Sequence, residues 1–182
     1  MELLLRGHHY GSLRHKNNNV MKNFLKTSEK GVGLVEILIA VAIIATSFFA
    51  ITQISITAMS TAQDRTDKVK ALEFAQEGIE AVRSLRDGSF TNNIGVLTFG
   101  STYYGVISGG KWTLTLSNPG LLASKFTRTI VVSNVSRDIN DNIVTAGGTN
   151  DTKTKKVTAT VSWGSPVKSV QLSAYIADIL KN

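Results

Sequence analysis

Nothing between Ile37 and Gln63 carries a charge, and that stretch is longer than the roughly 20 residues a helix needs to cross the hydrocarbon core of a bilayer. The apolar segment opens at Val32 and reads VGLVEILIAVAIIATSFFAITQISITAMSTAQ. Beyond Glu36 its only polar members are Ser, Thr and Gln, which a helix accommodates by bonding hydroxyls back to its own carbonyls. No second apolar run follows, so a multi-span transporter is excluded. An ordinary secretory signal would show an apolar core of about 7–15 residues closed by a small-residue cleavage site. Here the run passes without such a break into a charged, periodic segment.

From Asp64 the helical period persists. Val69, Leu72, Ala75, Ile79 and Val82 recur at steps of three and four and form one apolar stripe, with Lys70, Glu73, Glu77, Glu80, Arg83 and Arg86 on the other faces. Asp64 and Lys68 stand in the favourable i,i+4 order. Asp87-Gly88 is a stop signal, because Gly closes a helix in the left-handed conformation. No Pro falls within 32–87; Gly33 and Gly78 each cost ~1 kcal/mol relative to Ala without breaking the helix. The pattern predicts one continuous helix of about 55 residues.

After Ser89 the period drops to two. Trp112, Leu114 and Leu116 alternate with polar neighbours, and Phe126, Arg128, Ile130 and Val132 alternate less cleanly with Thr127, Thr129 and Val131. Val157, Ala159, Val161 and Trp163 alternate with polar neighbours too, and then Val170, Leu172, Ala174 and Ile176. These are half-buried antiparallel strands. Gly109-Gly110 reads as a hairpin turn, and Gly164-Ser165-Pro166 joins the last two strands. Residues 137–156 (RDINDNIVTAGGTNDTKTKK) read as a hydrophilic, turn-rich excursion. The fold class is therefore α+β: a long N-terminal helix, half apolar and half amphipathic, packed on a C-terminal antiparallel sheet. The lower half of the helix is expected to pack against Trp112, Val161, Trp163 and Leu172.

Composition removes most catalytic classes. Cys is absent and the three His are confined to positions 8, 9 and 15, so the main body has no thiolate, no His-based triad and no two-His metal site. No Ser-x-x-Lys motif or Gly-rich phosphate loop is present. No enzyme activity and no cofactor are expected. The formal charge of +7 belongs largely to the front: residues 1–31 hold six Lys/Arg and two Glu, a net +4, which leaves +3 for residues 32–182. Lys153, Lys155 and Lys156 read as a solvated strand edge that blocks aggregation, with DNA contact as the less common meaning. Asp138, Asn140 and Asp141 have the oxygen-rich look of a calcium loop but lack the Gly and Glu spacing of an EF-hand, so a surface turn is the preferred reading.

The most informative residue is Glu36, just inside the apolar segment. An ionised carboxylate in a membrane helix costs on the order of 2.5–3.5 kcal/mol and is by default functional, which requires a cationic partner. No Lys or Arg lies in the apolar zone; Lys30, a charge from another chain, or a new amino terminus created by cleavage near Gly31 would each serve. A plain single-span anchor remains the structural alternative.

Lys30-Gly31 followed by Val32-Gly33-Leu34-Val35-Glu36 and a long aliphatic run resembles the class III signal of type IV pilins and type II secretion pseudopilins. The likeness is strict over residues 30–52, and ALEFAQEGIEAVRSLRD is similar more loosely to the helix of minor pilins. It implies cleavage by a membrane prepilin peptidase after Gly31, the last leader residue. Val32 becomes the methylated mature N-terminus, and Glu36 pairs with a neighbouring subunit's amine during assembly. The family's usual Phe and small hydroxyl residue at the first two mature positions are replaced by Val32 and Gly33, and its helix prolines and C-terminal Cys pair are absent.

The implied organisation is a leader at 1–31, a transmembrane and assembly half-helix at 32–63, an amphipathic half at 64–88 and a globular β domain at 89–182. Met21 offers an alternative start that gives the leader MKNFLKTSEKG, of the family's typical length. The resemblance implies a pilus or pilus-like filament subunit, with prepilin peptidase, other pilin subunits and an inner-membrane assembly platform as partners. Nucleic acid enters only for a DNA-uptake pilin. A secretion pseudopilin shares this chemistry. A different class, a single-span extracellular β domain that binds a ligand, also fits the residues.

Overall fold

The computed structural model describes residues 28–179, with side chains from residue 33 onward. Residues 1–27, including Met21, Lys22 and Lys26 of the expected leader, lie outside the described residues, as do residues 180–182 and the side chains at positions 28–32. One α-helix, α1 (Ser28–Gly88), opens the described chain. The chain divides into two compact units, Met1–Ser60 and Thr61–Asn182.

In the first unit the described part is helix alone. Its aliphatic and aromatic side chains are exposed, from Leu34 at 63% to Phe48 at 74% and Met59 at 74%. The hydroxyls bond inward as the sequence suggests: Thr46 Oγ1 donates to Ala42 O (3.0 Å), Ser47 Oγ to Ile43 O (2.7 Å), Thr52 Oγ1 to Phe48 O (2.9 Å) and Ser55 Oγ to Ile51 O (3.0 Å). Each of these hydroxyls thus finds its partner one turn back and needs no water.

The second unit packs the remainder of α1 on one antiparallel sheet. The strands are β1 (Thr102–Ser108), β2 (Lys111–Thr115), β3 (Thr127–Arg137), β4 (Ile143–Val144), β5 (Thr149–Trp163) and β6 (Lys168–Ala177). Their order is β2-β1-β3-β5-β6, with β4 paired to β3. The expected alternation holds: Arg128, Ile130 and Val132 of β3 and Val157, Ala159, Val161 and Trp163 of β5 are buried, and their neighbours are not. Gly109 and Gly110 take φ of 58° and 75° in the β1–β2 turn, a left-handed pair that residues with a Cβ adopt only at a steric cost.

The helix face differs from the expected stripe. Ala71, Ala75, Ile79 and Val82 are buried against Ile130, Val132, Val157, Ala159 and Val161, whereas Val69 is 55% exposed and Leu72 only half-buried. The contact line runs through small residues, so backbone and sheet approach closely. Gly78 shows how closely: a Cβ there would lie 3.0 Å from Arg128 Cδ and 3.3 Å from Ala159 Cβ. What reads in sequence as a weak point in the helix is its point of nearest approach to β3 and β5. Asp64, expected to pair with Lys68, instead meets Lys168 at 2.6 Å.

Three further expectations are corrected. The helix does end at Gly88, but Gly88 has no positive φ. Ser89, extended at φ −170°, receives Asn92 N–H on its hydroxyl, and a π turn at Phe90–Ile94 buries Phe90 and Ile94. The hydrophilic stretch at 137–156 is shorter as a loop than its composition suggests, because β5 begins at Thr149. A β-bulge at Asn134/Val135 lets the two strands stay paired through it. Trp163 joins the core, its ring 5.8 Å from that of Phe126. Trp112 does not; it lies half-buried with the Arg128 guanidinium 5.4 Å over its ring.

Candidate functional site

Glu36 lies within α1, four positions after Val32, so the two positions share one face a single helical turn apart. Its side chain is exposed, and it makes no ion pair among the described residues. The next acidic or basic residue toward the C-terminus is Asp64. The carboxylate therefore stands alone on a surface that is otherwise aliphatic, aromatic or internally bonded hydroxyl. Gly31 falls inside the helical span and Val32 follows it.

The oxygen-rich turn is occupied by its own backbone. Asp138 Oδ1 accepts the N–H groups of Asn140 (2.9 Å) and Asn142 (2.8 Å), and Asp138 Oδ2 accepts Asn142 Nδ2 (3.2 Å). Those bonds, Asn142's foremost, hold the Asp138 carboxyl below the usual carboxylate range. Asp141 sits at φ 65°, its side chain 86% exposed and 3.6 Å from Arg137 Nε. Asn140 contributes a backbone N–H rather than a converging side-chain oxygen. Among the described residues no group of three or more His, Cys, Asp or Glu converges on one point.

Arg137 organises the base of this turn. Its Nε donates to Asp151 Oδ2 (2.7 Å), Nη1 to the Asp141 carbonyl (2.7 Å) and Nη2 to Thr154 Oγ1 (3.4 Å). The guanidinium holds the Asp151 carboxyl down to about 2. A carboxylate depressed in the folded state stabilises the fold fully above its unfolded pKa of about 3.9 and loses that contribution as pH falls through about 2. The stability difference between the native chain and Asp151→Asn is therefore expected to be flat from pH 7 to 5 and to shrink as pH approaches 2. Denaturant titrations across that range check it; a difference independent of pH would contradict the ion pair.

The three lysines are not one solvated edge. β5 is an interior strand, and Lys155 is 3% exposed, with Nζ donating to Asn134 Oδ1 (3.0 Å) and lying 4.5 Å over the Phe99 ring. Burial pushes its pKa down. Lys153 and Lys156 are exposed. Two further charges are drawn inward: Asp67, which sequence reasoning missed, and Arg128, which the strand alternation places on the covered face. Asp67, 5% exposed, pairs with Lys125 and accepts Gln63 Nε2 at 3.1 Å. The Arg128 side chain, 3% exposed, reaches Glu77 at 3.0 Å and the Phe74 carbonyl at 3.2 Å. Arg128 was detectable, because it falls in phase with Phe126 and Ile130.

These features define an α+β protein that has, among the described residues, one helix near the N-terminus long and apolar enough to cross a membrane, at a mean hydropathy of 2.6 over its most apolar window. That helix is compatible with a single-pass anchor. No protein-family model, curated protein or solved structure matches the chain.

Proposed function

We propose that the chain is a structural subunit of a type IV pilus or pilus-like filament, cut by a prepilin peptidase after Gly31 and polymerised through α1. The observation that carries this reading is Glu36, a lone carboxylate in the otherwise uncharged apolar segment 32–63 of α1, a helix that continues into an antiparallel β domain. Lys22, Lys26 and Lys30 keep the leader cytoplasmic by the positive-inside rule and leave the β domain outside the cell membrane. Cleavage frees an α-amine at Val32, where N-methylation follows. One turn separates that amine from Glu36 of the same chain, and the amine of an axially shifted neighbour can take the same place.

Assembly moves the apolar half of α1 from lipid into a bundle of like helices on the inner-membrane platform. The Glu36–amine pair then acts as a register device: its Coulomb gain is largely offset by desolvation, but a misregistered subunit leaves a buried charge unpaired. The pseudopilus of a type II secretion system would use the same chemistry. To test the reading, the chain is expressed with an active prepilin peptidase and the N-terminal peptide of the membrane-extracted product is sequenced by mass spectrometry. A mature chain beginning at N-methylated Val32 is expected; a product uncut between Gly31 and Val32 overturns the proposal.

A further inference from the structure

Two ion pairs gather three distant segments at one pole of the β domain. Lys168 Nζ meets Asp64 Oδ1 at 2.6 Å, which brings the β5–β6 turn to the start of the domain's helix. Lys125 pairs with Asp67, which brings the segment leading into β3 to the next helical turn. Both carboxylates of this stretch are thereby neutralised. Arg65, Lys68 and Lys70 remain exposed and enter no ion pair among the described residues. In the two segments that these pairs bring to the pole, Val167, next to Lys168, is 76% exposed and Leu121, four positions before Lys125, is 59% exposed.

Aliphatic loop tips ringed by unpaired cations are the composition of an interfacial membrane contact, where apolar side chains enter the headgroup layer and Lys or Arg meet lipid phosphates. Position in the chain favours a bilayer over any other anionic partner. Asp64 directly follows the uncharged run that ends at Gln63, so a membrane crossed by that run lies within reach of this pole. We propose that the pole docks on an anionic phospholipid surface, with Leu121 and Val167 in the headgroup layer and Arg65 and Lys68 on lipid phosphates. The proposal rests on the apolar run spanning a membrane; it does not require a filament.

The chain contains no Cys, so single labels can be placed at will. Full-length protein in nanodiscs of phosphatidylcholine, with or without phosphatidylglycerol, is labelled through Leu121→Cys, Val167→Cys, Ile139→Cys or Phe48→Cys and exposed to lipid-borne nitroxide quenchers. Ile139 is 98% exposed and follows β3 at the end opposite its Thr127 start. Labels at 48, 121 and 167 are expected to be quenched in anionic discs, and the label at 139 is not. Arg65→Gln and Lys68→Gln are each expected to lower the docked-to-undocked ratio about fivefold, since each basic residue near an anionic surface contributes about 1 kcal/mol. An unquenched label at 48 overturns the span and the docking with it. Quenching at 48 with 121 and 167 no different from 139 overturns the docking alone. So does quenching at 121 and 167 that ignores both lipid charge and the two substitutions.

Discussion

Glu36→Leu is expected to abolish filament assembly while the subunit stays in the membrane with its β domain folded. Insertion should be unharmed or improved, because the change removes a charge that costs on the order of 2.5–3.5 kcal/mol in a membrane helix. The β domain should be indifferent, because its hydrophobic core begins at Ala71, well beyond position 36. Assembly fails because each incoming subunit would bury its neighbour's amine without a counter-charge, a cost of ~3–5 kcal/mol repeated at every contact. Immunoblots of sheared surface filaments and of the membrane fraction separate the two effects. Wild-type amounts of variant in the sheared fraction would exclude the Glu36–amine pair as the assembly device; a wild-type chain absent from that fraction and confined to the membrane would exclude the filament reading and leave a membrane-anchored β domain.

The largest stability effect is expected at Phe126. Its ring is 2% exposed, edge-on to Phe74 at 5.4 Å and tilted against Trp163 at 5.8 Å. It therefore joins the helix to the sheet at the start of β3. Phe126→Ala removes the ring and leaves a cavity that the flanking backbone cannot close, since Phe126 N–H is bonded to Leu122 O at 2.9 Å and Leu122 N–H to Phe126 O at 2.7 Å. A loss of ~3–5 kcal/mol is expected. Urea unfolding of the detergent-solubilised chain measures it, with Val69→Ala, at an exposed position, as a control that should change by less than ~0.5 kcal/mol. Equal effects at 126 and 69 would mean that the core described above is wrong.

Periodicity made most of this architecture readable. Strand alternation on β3, β5 and β6 assigned the buried face correctly because one face of the sheet is covered and the other is not. The helix register was harder. A search for large apolar residues favours Val69 and Leu72, but a helix laid flat on a sheet uses whatever lets the backbones approach, and here that is Ala71, Ala75 and Gly78. The start of β5 was hidden for a related reason. Thr, Asn, Asp and Lys from 149 to 156 carry no apolar alternation; pairing across the bulge with β3, and Arg137 gripping Asp151, hold that stretch extended. Asp67 and Lys125 are 58 positions apart in sequence, a separation no local pattern reports. Glu36 was legible because a lone charge in an apolar run contradicts its surroundings.

The order of strands has a consequence for biogenesis. β1 with β2, β3 with β5 and β5 with β6 are partners that follow one another along the chain, with only the short β4 arm intervening. The helix against which they pack precedes them all. These strand pairs close over short stretches of chain, whereas β1 reaches past β2 to β3 and the helix–sheet contacts, such as Gly78 with Ala159, are distant ones that form later. A polypeptide threaded outward through a translocon from its anchored end would therefore lay down its scaffold first and add hairpins as they emerge. The sheet-facing side of α1 would wait longest, since Ala71, Ala75 and Ile79 are covered only once Val157, Ala159 and Val161 of β5 have emerged.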